Sequence, residues 1–175
     1  MVVQRLHLNE SPYSLPTFGA NEAYVFTWSV GSKVNELPDV SGLPTADDAR
    51  YLFNTLRHHL GQMYRLLDDN AFLASLEDFY RGGPSRDQAD ANRLWFIQFL
   101  LVVALGRAIL SQSRLKKEPP GAKFFQRAMS LLPDHGSLWK DSLMAIDILA
   151  MIGLYLYCID QRESGHIYVS FSTQG

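Results

Sequence analysis

The side chains of this sequence that could do chemistry occur in two adjacent pairs. His58-His59 could bind a metal ion, and Asp68-Asp69 could serve as a paired acid and base. Adjacent residues on a helix point about 100° apart, so the two histidines cannot grip one ion as a pair four residues apart would. We expect one solvent-facing and one partly packed histidine. The two aspartates stand where N-capping and the helix dipole already account for carboxylates, and we interpret them as capping residues.

The single cysteine, Cys158, falls within an apolar segment, where a thiol is usually inert. One cysteine cannot form an internal disulfide or a thiolate zinc cluster. The serines lack the context of a nucleophile elbow, and no glycine-rich phosphate loop follows a strand. The sequence therefore predicts no catalytic, cofactor-binding or metal site, no cofactor in this chain, and a protein that is not an enzyme.

Several other residues have both a binding and a structural interpretation. The basic run at 114–117 (RLKK) could touch phosphates, but such a run at a helix end more often stabilises the negative end of the helix dipole. Gly106 could admit a ligand, although a small residue within a helix more often permits close approach of a neighbouring helix. Trp28, Trp95 and Trp139 are interpreted as core or interface anchors rather than stacking platforms.

The elements that must position these residues are helices. Apolar residues at helical spacing, capping types and proline or glycine stops predict five helices, at residues 45–67, 68–81, 94–110, 120–132 and 137–158. Thr45 with Asp48 resembles a capping box at the first start. Residues 94–110 are apolar nearly all round, which predicts a central helix enclosed by neighbours. Residues 85–92 read as a polar connection.

The N-terminal part, residues 1–43, carries prolines and scattered small polar residues without a helical period. We read it as a mostly irregular lead-in. Within it, residues 24–30 (YVFTWSV) could form a short strand, but a packed extended segment is favoured. The predicted fold is therefore all-α, a bundle or irregular array of about five to six packed helices after this segment. A sixth helix beyond Gly165 is weakened by glycine and β-branched residues.

Composition limits the function classes. The chain has 175 residues, 47% of them hydrophobic, which fits one domain with a real core. A net charge of -2 provides no positive field for phosphates, so direct DNA binding is disfavoured. Segments 94–110 and 143–159 approach membrane-span length, but Gln98, Arg107 and Asp147 interrupt them. We interpret both as buried core helices and expect no membrane partner.

Three stretches carry a family resemblance through their order and spacing. Residues 43–53 followed by 66–73 give an opening helix and a turn in which leucine and aspartate precede phenylalanine and leucine. Residues 94–106 with 119–128 give an apolar helix, a proline-glycine break and a second helix. Residues 154–164 give a junction between paired helices, with LYLY followed by Asp160, Arg162 and Ser164. In this order they resemble the regulatory domain, or middle homology region, of fungal zinc-cluster transcription factors.

The resemblance implies an all-helical regulatory domain over residues 44–170, with a tail at 171–175. It further implies a nuclear location, regulation of transcription, protein partners or self-association, and an unidentified small-molecule effector. Zinc and sequence-specific DNA recognition would belong to a six-cysteine domain of full-length relatives, which has no counterpart in these residues. Relatives continue with an alanine- and leucine-rich helix where this chain ends, so the domain is expected to be truncated.

Truncation would leave an apolar face uncovered. We expect Ile148, Ile152 and Leu156 to present that face, and the isolated chain to self-associate, misfold or depend on a partner, because exposed apolar area costs about 25 cal/mol per Å². Two other functions remain open. A stand-alone helical scaffold could bind partner helices in a groove, and a small-molecule enzyme could use a pocket between helices.

Overall fold

The computed structural model describes residues 26–61, 67–111, 118–133 and 142–159. Within these ranges the chain forms six α-helices and no strand, which confirms the predicted all-α class. The helices are α1 Ala46–Leu60, α2 Asp69–Arg81, α3 Arg86–Ala91, α4 Arg93–Leu110, α5 Ala122–Leu131 and α6 Ser142–Cys158. The basic run at 114–117, Trp139, the predicted cap Ser137 and residues 160–175 lie outside the described ranges.

Helix α1 begins as predicted and ends earlier. The Thr45 side chain accepts a hydrogen bond from the Asp48 backbone N–H at 3.2 Å, and its hydroxyl donates to the Asp48 carboxylate at 2.8 Å. The predicted helix is interrupted at Gly61, which adopts a φ of 65° and whose N–H closes the last turn on the Arg57 carbonyl. The predicted apolar positions Met63 and Tyr64 lie outside the described residues. Glycine ends a helix in this way because a positive φ costs it nothing.

Residues 85–92 are not a mere connection. The Ser85 side chain accepts from the Gln88 N–H, and this cap begins the six-residue helix α3. Only Ala89 of this helix is buried. With one buried residue, α3 shows no apolar periodicity that would predict a helix from the sequence. The one local signal is Ser85, because serine is a common helix N-cap.

Helix α4 is the centre of the fold, as its composition predicts. Every residue from Trp95 to Gly106 is buried, and α4 contacts α1, α3, α5 and α6. The helix is long and apolar enough to cross a membrane, but 78% of it is buried inside the protein by the surrounding chain. Both apolar segments are thus core helices, as expected from the polar and charged residues that interrupt them.

The segment before α1 is a strap that lies across this core, defined here as residues 26–44. Phe26 and Trp28 are partly buried and pack on Phe125 of α5, with ring centroids 5.7 Å away in both cases. The interpretation as a packed extended segment is confirmed for these residues. Backbone hydrogen bonds from Gly31 to the Met129 carbonyl and from Lys33 to the Ser130 carbonyl join the strap to α5.

Two arginines fix the rest of the strap. Arg93, at the start of α4, donates to the carbonyls of Val34 and Glu36 at 2.6 and 2.9 Å and pairs with Asp90. Arg127 of α5 donates to the carbonyls of Asp39 and Ser41 at 3.0 and 2.9 Å. An irregular segment must satisfy its backbone acceptors, and here guanidinium groups take the place of a sheet partner.

Helix α6 packs along α4, and it corrects the expectation of an uncovered face. Ile148, Ile152 and Leu156 are each 0% exposed and belong to the hydrophobic core. The expectation of an uncovered face at these residues is therefore wrong, and self-association is not needed to cover them, because the folded chain already buries these side chains. Leu143, at 78% exposure, and Tyr157, at 43%, are the most exposed large apolar side chains of α6.

Phe99→Ala should lower the free energy of unfolding by about 3 to 5 kcal/mol, because Phe99 is fully buried and its cavity cannot collapse within a ring cluster. Denaturant titration measures the loss. Leu143→Ala provides the control, and as an exposed substitution it should change the free energy by no more than about 0.5 kcal/mol. A loss below about 1 kcal/mol for Phe99→Ala would show that α4 is not the core.

Gly106→Ala should destabilise the fold by about 1 to 2 kcal/mol, although alanine is the better helix former. A Cβ on Gly106 would lie 2.8 Å from the Leu52 Cβ and 3.0 Å from the Leu52 carbonyl oxygen of α1. Gly82→Ala is the matched control, since nothing lies within 4 Å of its Cβ position. Thermal unfolding compares the two variants, and equal midpoints would mean that α1 and α4 do not approach at Gly106.

Candidate functional site

The histidine pair is arranged as predicted. His58 is exposed and His59 half-buried, and their rings stand edge to face with centroids 5.8 Å apart. His59 Nδ1 lies 3.0 Å from the Thr55 carbonyl of the preceding turn, so one ring nitrogen is already occupied. Among the described residues no group of three or more histidine, cysteine, aspartate or glutamate side chains is placed to hold a metal ion.

The aspartate pair divides into two structural roles. Asp68 caps α2, because its Oδ1 accepts from the backbone N–H groups of Asn70 and Ala71 at 3.1 Å each. Asp69 instead pairs with Arg57 of α1 at 3.1 Å. The capping interpretation is confirmed for Asp68, and Asp69 adds a bond between the first two helices.

Two ionisable groups of α6 have raised pKa values. Burial raises the pKa of the Cys158 thiol to about 12, so the thiolate needed for nucleophilic attack does not form near neutral pH. Partial burial raises the pKa of Asp147 to about 6. The core around Cys158 protects it from reagents, which agrees with its interpretation as a structural thiol.

A small pocket lies between α2, α3 and the first turn of α4. Its volume is about 90 Å³. Its lining combines two aromatic rings with hydroxyl, amide and carboxylate groups; the residues are Ser75, Asp78, Phe79, Gln88, Asn92 and Trp95. Asp78, Gln88 and Asn92 are exposed, so the pocket opens to solvent on their side.

Trp95 anchors the wall of this pocket. It stacks on Phe99 at 5.6 Å and packs against Phe79 at 5.3 Å and Phe72 at 6.1 Å, which confirms its interpretation as a core anchor. Its indole Nε1 is nevertheless buried without a hydrogen-bond partner. Buried tryptophan N–H groups usually find an acceptor, so the unsatisfied N–H of Trp95 is unusual.

The sequence pattern does not predict this pocket, because residues 85–92 show no apolar periodicity. In the structure Gln88 lies on α3 and Asn92 lies between α3 and α4, and both line the pocket together with Ser75 and Asp78 of α2. The signal that could have located them was the cap at Ser85 with Gln88 three residues later.

Comparison with known proteins gives two distant relatives. The chain is 29% identical over 108 residues to the sorbicillinoid biosynthetic cluster transcription factor sor3 of Hypocrea jecorina, covering 61% of this chain and 16% of that protein. It is 26% identical over 196 aligned positions to the sorbicillinoid biosynthetic cluster transcription factor 2 of Penicillium rubens, covering 90% of this chain and 28% of that protein. No family model and no solved structure matches.

The chain thus spans less than a third of the length of either relative. Both relatives are named as transcription factors and neither as an enzyme. Their similarity to most of this sequence relates the chain to fungal transcription factors.

Proposed function

We propose that this chain is the regulatory domain of a fungal transcription factor, of the kind that controls a biosynthetic gene cluster. The observation that carries the proposal is its similarity, over 90% of its length, to a relative with such a name. The all-α fold supports it, since the resemblance to the middle homology region implies helices in this order.

The residues that carry the resemblance have packing roles in the structure. In the first stretch Asp68 caps α2, and Phe72 stacks on Phe53 of α1 with centroids 4.8 Å apart. In the second stretch, a Cβ on Gly121 would lie 2.5 Å from the Ala104 carbonyl oxygen. The turn before α5 therefore packs directly against the backbone of α4. In this chain these stretches therefore determine how the helices meet.

The proposal assigns DNA contact and zinc to a separate domain of a longer protein, and none to the described helices. A nuclear location follows for a regulatory domain of this type. Its helices would position the DNA-binding domain and transmit a signal from protein partners or an effector. Such transmission requires two conformations of the domain that differ in their affinity for the partner or effector. Self-association belongs to the same proposal but no longer rests on Ile148, Ile152 and Leu156.

The alternative is a stand-alone helical scaffold for protein partners. The observation that favours it is the exposure of large apolar side chains, Leu143 at 78% and Tyr51 at 59%. Isolated exposed apolar residues are common on protein surfaces, so this observation is weaker than the sequence similarity. Exclusion of the tagged chain from the nucleus, together with capture of defined partners, would favour the scaffold.

A reporter measurement tests the regulatory role. The chain is fused between a heterologous sequence-specific DNA-binding domain and an activation domain in a fungal host. Reporter output should differ from that of a fusion without the chain, because a regulatory domain alters the activity of what it joins. Nuclear fluorescence and protein level are measured in the same cells.

Variants show whether that effect needs the fold. Phe99→Ala should abolish the change in output because it removes a core ring, whereas Gly82→Ala should retain it. Equal output with and without the chain, at equal protein level, would contradict the proposal. An unaltered effect with Phe99→Ala would also count against it, since the effect would then not require the folded domain.

The isolated chain should not shift duplex DNA at physiological salt. Its net charge of -2 gives no excess of cations to neutralise phosphates and release counterions. A mobility-shift assay with genomic fragments and with random duplex checks this expectation. Tight, sequence-selective binding by the chain alone would mean that this chain itself reads DNA.

A further inference from the structure

The strap, residues 26–44, is held on the helices mainly by polar contacts. Pro38 is its one buried residue, and every other residue of the strap is half-buried or exposed. Two of its large apolar side chains, Val30 and Leu37, are 54% and 52% exposed. A segment with so few buried apolar side chains belongs to the least stable part of a fold, because little apolar surface returns to water when the segment leaves.

Water can replace the backbone contacts of the strap. Gly31 and Lys33 donate to the carbonyls of Met129 and Ser130 at 2.9 and 2.8 Å, and both carbonyls lie in the last turn of α5. The last four carbonyls of a helix have no partner within the helix, so water can hydrate them once a covering segment leaves. Departure of the strap therefore leaves no unpaired backbone group inside the core.

The two arginines that hold the strap each keep another contact without it. Arg93 and Arg127 donate to backbone carbonyls of the strap. Arg93 also pairs with Asp90 of α3, and the Arg127 guanidinium lies over the Phe124 ring, 5.9 Å from its centroid. Both arginine side chains are 20% exposed. Neither one becomes a buried, unpaired charge when the strap leaves, so its departure avoids that large cost.

The strap covers an aromatic pair formed by α5 and α6. Phe125 and Tyr155 are both 0% exposed and stack with ring centroids 4.4 Å apart. Phe26 of the strap packs on both rings, at 5.7 and 6.4 Å, and Trp28 packs edge to face on Phe125. Departure of the strap would therefore uncover apolar surface on this pair. Surface that is covered in one conformation and open in the other is what lets a partner distinguish the two conformations.

We propose that the strap is a movable cover, in which residues 26–41 leave α5 as one unit while the helices stay folded. Gly42 is the joint, since it has a φ of 63° and open space around its Cβ position. Beyond the joint, the Tyr80 hydroxyl holds the chain by donating to the Pro44 carbonyl at 2.6 Å. The movable cover goes beyond the proposed function, and its open and closed forms supply the two conformations that signal transmission requires.

Amide hydrogen exchange of the full 175-residue chain, measured by nuclear magnetic resonance, tests the cover. The amides to follow are those of Gly31 and Lys33, because their hydrogens are bonded to carbonyls of α5. Where closing is faster than exchange, the two strap amides should show equal protection, because they open together. That protection should be lower than the protection of the α4 amides by about tenfold or more, because α4 opens only when the whole fold unfolds.

Two variants weaken the strap through contacts on either side of these amides. Phe26→Ala removes the ring that packs on Phe125 and Tyr155, and Arg127→Ala removes the bonds to carbonyls near the joint. Each variant should speed the exchange of both strap amides by about tenfold, since the unit opens as a whole. Arg81→Ala is the control and should change neither rate, because Arg81 is exposed and pairs within α2.

Gly106→Ala separates opening of the strap from global unfolding. The added Cβ crowds Leu52 of α1 in the closed and the open form alike. The α4 amides should therefore exchange about 5 to 30 times faster, as expected for a core substitution of this size, while the two strap amides keep their rates.

Two strap amides that are as protected as α4, and that respond to Gly106→Ala, would overturn the proposal, because the strap would then open only with the whole fold. Amides without protection would overturn it as well, because there would be no closed form. Acceleration by one strap variant alone, or by neither, would mean that the strap does not move as a unit. The assay uses no DNA and no reporter gene, so its failure leaves the regulatory role standing, and failure of the reporter measurement leaves the movable cover standing.

Discussion

The fold depends on covering α4 from every side. An 18-residue helix whose side chains from Trp95 to Leu105 are all apolar except Gln98 is stable in water only inside other elements. Helices α1, α5 and α6 lie against it, α3 leads into it, and the strap closes over α5 beside it. Helices α1, α2 and α5 can therefore be amphipathic, because each has to bury only one side. Helix α6 is apolar on most sides and is buried more completely.

Close approach to α4 depends on two glycines. Gly106 lets the backbone of α1 come within contact distance at Leu52, and Gly121, with a φ of 80°, lets the turn before α5 rest on the Ala104 backbone. A side chain at either position would push a neighbour outward and open the core. Gly106 and Gly121 thus determine how closely α1 and α5 can pack against the central helix.

Much of this arrangement could be predicted from the sequence, since apolar periodicity and capping residues are local signals. They locate five helices, the central position of α4, and the caps at Thr45 and Asp68. What they could not predict is non-local. The guanidinium groups of Arg93 and Arg127 reach carbonyls more than fifty residues away, and periodicity contains no information about such pairs. Burial of Ile148, likewise, depends on how α6 packs along α4 rather than on the residues around it.

The pocket at Trp95 is a consequence of the same packing constraint. Trp95 must bury its large ring against Phe72, Phe79 and Phe99 to cover the first turn of α4, and in this position its N–H is buried without a hydrogen-bond partner. Helix α3 is one short helix with Ala89 as its only buried residue, so a small pocket remains between α2, α3 and α4. The core therefore gains a well-packed aromatic ring, and the contacts of that ring outweigh the loss of one hydrogen bond.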